Sequence, residues 1–276
     1  MKQKADSIGD LFEGTPHGVG LSKKRPQHLQ PNLITRVNEL ELSIAEEAKL
    51  KGMDIPLLIG VDEAGRGPWA GPVVASAVIL PIGFGVNTDP NPLYDHLLSC
   101  LNDSKKLSET KRLALVKPIC QSALGVGVGI ASPQQIDELN IAQANYSAMR
   151  TAVKKSLKSL SRSRSLEMEC YQLVLIDGLH IIPSLALPQR AIVKGDQRSY
   201  HIAAASIIAK VVRDKIMIAA DRRYPNYGFA QHKGYGTKAH QEALKLYGPC
   251  PLHRKTYKPI RALLKADDKT PSPSKI

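Results

Sequence analysis

The chain has 276 residues, 43% of them hydrophobic, which is enough for one main domain with extensions or for two small domains. Its net charge of +13 favours a polyanionic partner without choosing among DNA, RNA, ribosome and anionic membrane. No run reaches the roughly 18–20 apolar residues that span a bilayer, the opening MKQKADSIGDLFEG lacks the apolar core of a secretory leader, and Cys100, Cys120, Cys170 and Cys250 lie far apart. A membrane-embedded or disulfide-stapled secreted protein is thereby excluded, and reduced thiols in a cytoplasmic protein are expected.

Residues 1–32 are rich in Gly, Pro, Lys and Gln and read as a mobile tail. Apolar residues at helical spacing predict a helix over 33–51, ended by Gly52. Strands follow at 57–62 (LLIGVD) and 73–80 (VVASAVIL), then a turn-rich insertion at 83–95. Residues 108–121 read as a helix capped by Ser108, with Pro118 against that reading. ALGVGVGIA (123–131) alternates with glycine, as in a strand that a neighbour approaches closely. Ser132-Pro133 starts a helix that runs to about residue 160, and SRSRS (161–165) looks like an inserted basic loop. Strands at 173–177 (LVLID) and 190–194 (RAIVK) precede a long helix over 199–221 and shorter helices at 238–247 and 257–265. This order predicts an α/β fold with hairpin-like early strands and later crossovers.

The charge is uneven. Residues 1–50 are neutral overall, whereas Arg150, Lys154, Lys155, Lys158, Arg162 and Arg164 form a block without an acid. Residues 190–240 and 251–276 are also strongly basic. Each block alone is either a solvated face or part of a nucleic-acid surface, and their clustering in the latter half favours the second.

Four acids stand at strand ends: Asp62 and Glu63 after LLIGV, Asp177 after LVLI, and Asp196 after RAIVK-Gly195. A carboxylate there is either a turn former or a group aimed from a rigid scaffold into the rim where α/β folds place their sites. If the four converge, their repulsion requires a counter-charge, and an all-oxygen set favours Mg²⁺ or Mn²⁺ over zinc. Adjacent strand residues point to opposite faces, so Asp62 and Glu63 share a site only if the strand ends or bends there, which Ala64-Gly65 permits. Gly65-Arg66-Gly67-Pro68 fits neither a Walker loop nor a dinucleotide-binding turn, but a glycine turn can present backbone N–H groups to a phosphate or hydroxyl.

The blocks GVDEAGRGPWAGPVVASAVIL (60–80), LNDSKKLSETKR (101–112), PQQIDELNI (133–141), VLIDG (174–178), AIVKGDQRSYHIAAASIIAKVVRD (191–214), YPNYGFAQHKGYGTKAH (224–240) and GPCPLHRKTYKP (248–259) resemble, in order, those of bacterial ribonuclease HII. The resemblance covers roughly residues 57–262. It implies an RNase H-like mixed β-sheet flanked by helices over 56–221, a small helical C-terminal region over 222–265 and a flexible tail over 266–276. Residues 1–55 would be an N-terminal extension longer than compact members need. It further implies an endonuclease that cuts RNA in RNA–DNA hybrids, and duplex DNA on the 5′ side of an embedded ribonucleotide, leaving 3′-hydroxyl and 5′-phosphate ends.

Two divalent ions, Mg²⁺ or Mn²⁺, would be held by Asp62, Glu63, Asp177 and Asp196, with Asp62 expected to bridge them. The backbone of Gly65, Arg66 and Gly67 would contact the 2′-hydroxyl side of the junction. Tyr235 would stack on the deoxyribose that follows the ribonucleotide. Lys105, Lys106 and Lys194 are expected at phosphates, and either His232 and Lys233 reach the backbone as well or His232 is a surface or packing histidine. The expected partners are hybrid and ribonucleotide-containing duplexes, bound by a monomer with no membrane. Ribonuclease HIII is the nearest alternative, but it usually carries threonine at the position of Arg66 and a larger N-terminal platform. A binding protein without chemistry fits poorly, because four acids weaken phosphate binding unless metal neutralises them.

Overall fold

The strands and helices follow from two periodicities, two residues on a strand and 3.6 on a helix. The computed structural model describes residues 31–53, 57–81, 101, 107–163 and 172–267. In chain order the elements are α1 (Pro31–Leu50), β1 (Leu57–Ala64), β2 (Val73–Ile79), α2 (Glu109–Ser122), β3 (Gly125–Ala131), α3 (Pro133–Leu139) and α4 (Ile141–Ser163). Then come β4 (Gln172–Asp177), β5 (Gln189–Ile192), α5 (Tyr200–Arg223), α6 (Phe229–His232), α7 (Lys238–Tyr247) and α8 (Lys258–Asp267). Short 3₁₀ turns occupy Gly195–Gln197 and Pro225–Tyr227.

Among the described residues, five strands form one mixed sheet in the order β3-β2-β1-β4-β5. Pairs β1–β2 and β2–β3 are antiparallel, and β1–β4 and β4–β5 are parallel. Every residue of β2 is buried, which requires cover on both faces. Val73, Ala75, Ala77 and Ile79 pack with Ala144, Ala148, Met149 and Ala152 of α4. Val74 and Val78 turn the other way, to Ala203, Ala204, Ile207, Ile208 and Val211 of α5. The alternating glycines of β3 have a clear cause. A Cβ on Gly127 would sit 2.0 Å from the Ala152 carbonyl oxygen, and one on Gly129 1.9 Å from that of Ala148. The close neighbour is the backbone of α4.

Several boundaries differ from expectation. The helix after Ser132 breaks at Asn140, whose φ is 67° and whose Oδ1 accepts the Ala142 and Gln143 N–H groups. One asparagine thus ends α3 and caps α4. Helix α2 continues through Pro118 because Leu115, Val116 and Ile119 are buried against α5. Strand β5 stops at Ile192, and Lys194 takes a left-handed φ of 53° that leads into the 3₁₀ turn. Strand β1 does not end at Asp62 but runs on to Ala64. Helix α8 extends to Asp267, beyond the expected start of the tail.

The helix of the N-terminal extension, α1, packs on the sheet: Ile44 joins Leu58, Leu173, Leu175, Ile192 and Ile202 in one cluster. The C-terminal helices pack Phe229, Leu244 and Ile260 on Ala70 and Met217, so they rest against the loop between β1 and β2. Among the described residues, no helix is long and apolar enough to cross a membrane. Cys120 and Cys250 are free thiols. Cys100, Cys170, the 83–95 insertion, and Arg164 and Ser165 of the basic loop lie outside the described residues.

Candidate active site

Strand register separates the first two acids. Leu58 faces Ile202 of α5, and Asp62 follows on the same side, where the Ser206 side chain hydrogen-bonds it. Ile59 and Val61 face α4, and Glu63 follows them to a hydrogen bond with Asn145 of that helix. Asp62 is 6% exposed, and its Oδ1 accepts the Glu63 N–H at 2.7 Å. Val61 pairs with Ile176, so Asp62 and Asp177 stand one step further along the same two parallel strands. Leu173 and Leu175 place Asp177 on the α5 side with Asp62. Asp177 Oδ1 accepts the Gly195 N–H at 2.7 Å, and Asp196 is buried in the turn that Gly195 opens.

The acids feel one another's charge. Burial pushes the Asp62 carboxyl well above the usual range, and Glu63 and Asp177 add to the rise. Burial also raises Glu63; Arg66, 3.3 Å away, opposes this, and Asp177 reinforces it. Among the described residues, no three carboxylate, imidazole or thiol groups close into a metal cage. The donor chemistry still fits a hard divalent cation: the side chains are oxygen donors only, and Glu63 and Asp177 both press on the Asp62 charge.

Two buried arginines shape the neighbouring glycine turn, and sequence reasoning missed both. Arg254 donates from Nη2 to the Gly65 carbonyl at 2.6 Å, from Nη1 to that of Arg66 at 2.9 Å and from Nε to that of Gly71 at 3.0 Å. Arg213 donates from Nε to the Pro72 carbonyl at 3.0 Å, and from Nη2 to those of Ala70 at 3.2 Å and Lys233 at 3.0 Å. The Tyr257 hydroxyl donates to the Arg66 carbonyl as well. In a trans peptide the C=O and the next N–H point in opposite directions. Holding the Gly65 and Arg66 carbonyls inward therefore turns the Arg66 and Gly67 N–H groups away from Arg254. Gly65 has φ +97°, and a Cβ there would meet Arg213 Nε at 2.0 Å. Burial, with the nearby Arg254 charge, lowers Arg213 to about 10, still cationic at neutral pH. A sequence signal did exist: Arg213 continues the buried four-residue row Ala205, Ala209 and Met217 along α5.

Tyr235 joins this turn. A Cβ on Gly67 would lie 3.8 Å from its ring, and the Arg213 guanidinium lies 6.0 Å from the ring centroid. The tyrosine is 47% exposed, so its ring is available at the surface. A chain of histidines fixes its backbone. The Cys250 N–H donates to His253 Nδ1, so His253 Nε2–H donates to His240 Nε2 at 2.9 Å, and His240 Nδ1–H donates to the Tyr235 carbonyl. His232 packs internally: its Nδ1 accepts the Gly234 N–H and its Nε2–H donates to the Tyr227 carbonyl. Lys233 is also turned inward, donating to the Ala230 carbonyl. Lys194 is exposed beside the Asp196 turn, and Lys105 and Lys106 lie outside the described residues.

The histidine chain works only with neutral rings. Burial lowers His240 and His253 to about 4 each. The unfolded chain therefore binds more protons between pH 6.5 and 4, and stability falls as pH drops through that window. The thermal midpoint should decline from pH 6.5 to pH 4, and this decline should shrink in His240→Gln. An undiminished decline in that variant would exclude the histidine pair as its source.

The ribonuclease HII family model matches residues 59–260. The chain belongs to the ribonuclease HII family. A ribonuclease HII from Syntrophotalea carbinolica is 46% identical over 218 residues, covering 79% of this chain and 93% of that protein. The solved ribonuclease H2 of Pyrococcus horikoshii OT3 superposes with a TM-score of 0.55 at 25% identity, covering 77% of this chain and 99% of that one. A ribonuclease HIII structure solved in complex with Mn²⁺ has a TM-score of 0.56 at 16% identity, covering 90% of this chain and 77% of that one. That likeness is one of fold, the RNase H-like mixed sheet, and the family match decides for HII over HIII. The protein is thus a type 2 ribonuclease H, an endonuclease.

Proposed function

We propose that the enzyme cleaves the RNA strand of RNA–DNA hybrids and nicks duplex DNA on the 5′ side of embedded ribonucleotides. What supports the reading is that Asp62 and Asp177 stand side by side on β1 and β4, with Glu63 and Asp177 raising the Asp62 carboxyl, while the turn that follows β1 has its Gly65 and Arg66 carbonyls held by Arg254 and lies beside the exposed Tyr235. The four acids would hold Mg²⁺ or Mn²⁺. When bound, two such ions supply a water nucleophile at neutral pH and charge stabilisation at the leaving 3′ oxygen.

The protein's own groups do the rest. The Arg66 and Gly67 N–H groups donate to the 2′-hydroxyl, the one feature that separates RNA from DNA at a given sugar. A site built to bond a hydroxyl rejects the analogue without it by as much as ~10⁴–10⁵. Tyr235 lies flat against the following sugar, where a second 2′-hydroxyl would crowd the ring. Lys194 and the basic blocks of the latter half draw in the duplex backbone. In this reading, residues 56–221 carry the chemistry, 222–265 hold Tyr235 and the arginine clamp, and the enzyme acts in the cytoplasm as a monomer.

The test compares wild type with Tyr235→Ala on a duplex containing one ribonucleotide and on a long hybrid. The variant should lose about 10-fold in selectivity for the single-ribonucleotide junction, the order expected for a base- or sugar-stacking aromatic. Unchanged selectivity would remove Tyr235 from the junction.

A further inference from the structure

Helix α1 belongs to the N-terminal extension, yet it delivers a buried carboxylate to the start of α5, directly after the turn that holds Asp196. The Glu41 side chain is 12% exposed. Its Oε1 accepts from the Ser199 hydroxyl at 2.6 Å, from His201 Nδ1 at 2.8 Å and from the His201 N–H at 3.4 Å. His201 is itself buried, with Nε2 facing the Leu80 carbonyl at 3.3 Å. Burial alone would raise the Glu41 carboxyl, but the His201 charge and these hydrogen bonds outweigh it and hold the group below its ordinary value.

Ser199 is the hub. Its hydroxyl accepts the Ile202 N–H, capping α5, while it donates to Glu41, so both of its capacities are used. Its own N–H donates to the Gly195 carbonyl at 2.9 Å, closing the turn around Asp196. The Gly195 N–H in turn donates to Asp177 Oδ1. Three hydrogen bonds thus run from α1 to Asp177 and enclose Asp196. Two further anchors brace the same segment: Glu47 pairs with Arg190 of β5 at 2.9 Å, and Ile44 packs on Ile192 and Ile202. A buried carboxylate tolerates few arrangements of its donors, because leaving it unpaired costs several kcal/mol. It therefore fixes position more sharply than apolar packing does.

We propose that Glu41 is a positioning residue, which sets the Asp177 and Asp196 carboxylates through Ser199 and Gly195. The inference rests on the proposed role of those two acids. Its test uses the full chain with Glu41→Leu, Glu41→Gln and Asp196→Asn, and reads Mn²⁺ binding by calorimetry without substrate, beside kcat and KM on an RNA–DNA hybrid. Removing the support of a metal ligand typically weakens metal binding 10–100-fold. Glu41→Leu should weaken Mn²⁺ binding at least ~10-fold and lower kcat with KM unchanged. Glu41→Gln retains an oxygen acceptor for Ser199 and His201, and should restore most of both.

If Glu41→Leu fails to fold, Ser199→Ala cuts the same chain while leaving the Glu41–His201 pair, and the same loss in Mn²⁺ binding and kcat is expected. Folded Glu41→Leu or Ser199→Ala protein with wild-type Mn²⁺ affinity and kcat would overturn the proposal, provided Asp196→Asn abolishes both. Asp196→Asn with intact binding and cleavage would instead overturn the reading of the acids on which the proposal rests.

Discussion

Asp62→Asn should abolish cleavage while leaving the fold intact and at least as stable. The substitution keeps the shape of the side chain and removes its charge. Metal-assisted charge stabilisation is worth several kcal/mol, and each ~1.4 kcal/mol is tenfold in rate, so the loss should be about 10³-fold or more. Stability moves the other way. Asp62 is buried with Glu63 and Asp177 pressing on it, and its folded-state carboxyl titrates well above the ordinary value. Such a group makes the folded protein less stable as pH rises above about 4, because the unfolded chain ionises first. Without metal, the neutral amide escapes that penalty, so the variant's thermal midpoint at pH 7 should equal or exceed that of wild type. Single-turnover cleavage, thermal unfolding in EDTA and duplex binding read the three properties separately. Retained cleavage would remove Asp62 from the site, and a collapsed midpoint would make its role structural.

Arg254→Ala should be the most destabilising single change near the site. Arg254 is fully buried, and its guanidinium serves three carbonyls and the Tyr257 hydroxyl. The Arg66 carbonyl keeps the Tyr257 hydroxyl, so the Gly65 and Gly71 carbonyls lose the guanidinium; at about 1–3 kcal/mol for each acceptor left without a donor, the total is on the order of 2–6 kcal/mol. That corresponds to a fall on the order of 10 °C in thermal midpoint for a domain of this size. Because the same bonds orient the Arg66 and Gly67 peptides, the folded fraction should also lose preference for a ribonucleotide. Arg254→Lys should rescue little, since one ammonium cannot reproduce a planar fork spread over three carbonyls. Near-wild-type stability in Arg254→Ala would contradict the clamp.

The two variants bracket what the sequence discloses. Asp62 and Asp177 stood out as candidates because an apolar strand that runs into a carboxylate is a local pattern, while Asp196 lies in a turn beyond β5. The order of strands and helices was legible for the same reason, as was the close neighbour that the glycines of β3 require. The placement of Asp62 and Glu63 on opposite faces was not, because it depends on β1 continuing to Ala64 in register with β2. The arginine clamp joins residues nearly 190 positions apart, beyond any local pattern. Whether Lys233 reaches a substrate backbone was left open by the sequence, and a left-handed φ of 50° with a nearby carbonyl turns it inward. Helix α1 was legible as a helix, while its docking was not: the burial of Glu41 is visible only once Ser199 and His201 are placed beside it.

In the proposed function, the metal-dependent chemistry and the recognition of a lone 2′-hydroxyl belong to one site. The most direct measurement maps the cut on a 5′-labelled DNA duplex with a single ribonucleotide, in Mg²⁺, in Mn²⁺ and in EDTA, beside an all-DNA duplex and a hybrid. One nick on the 5′ side of the ribonucleotide, with a 3′-hydroxyl end, no cut in all-DNA and none in EDTA, is the predicted result. Cleavage confined to long RNA runs, or cleavage that persists in EDTA, would contradict it.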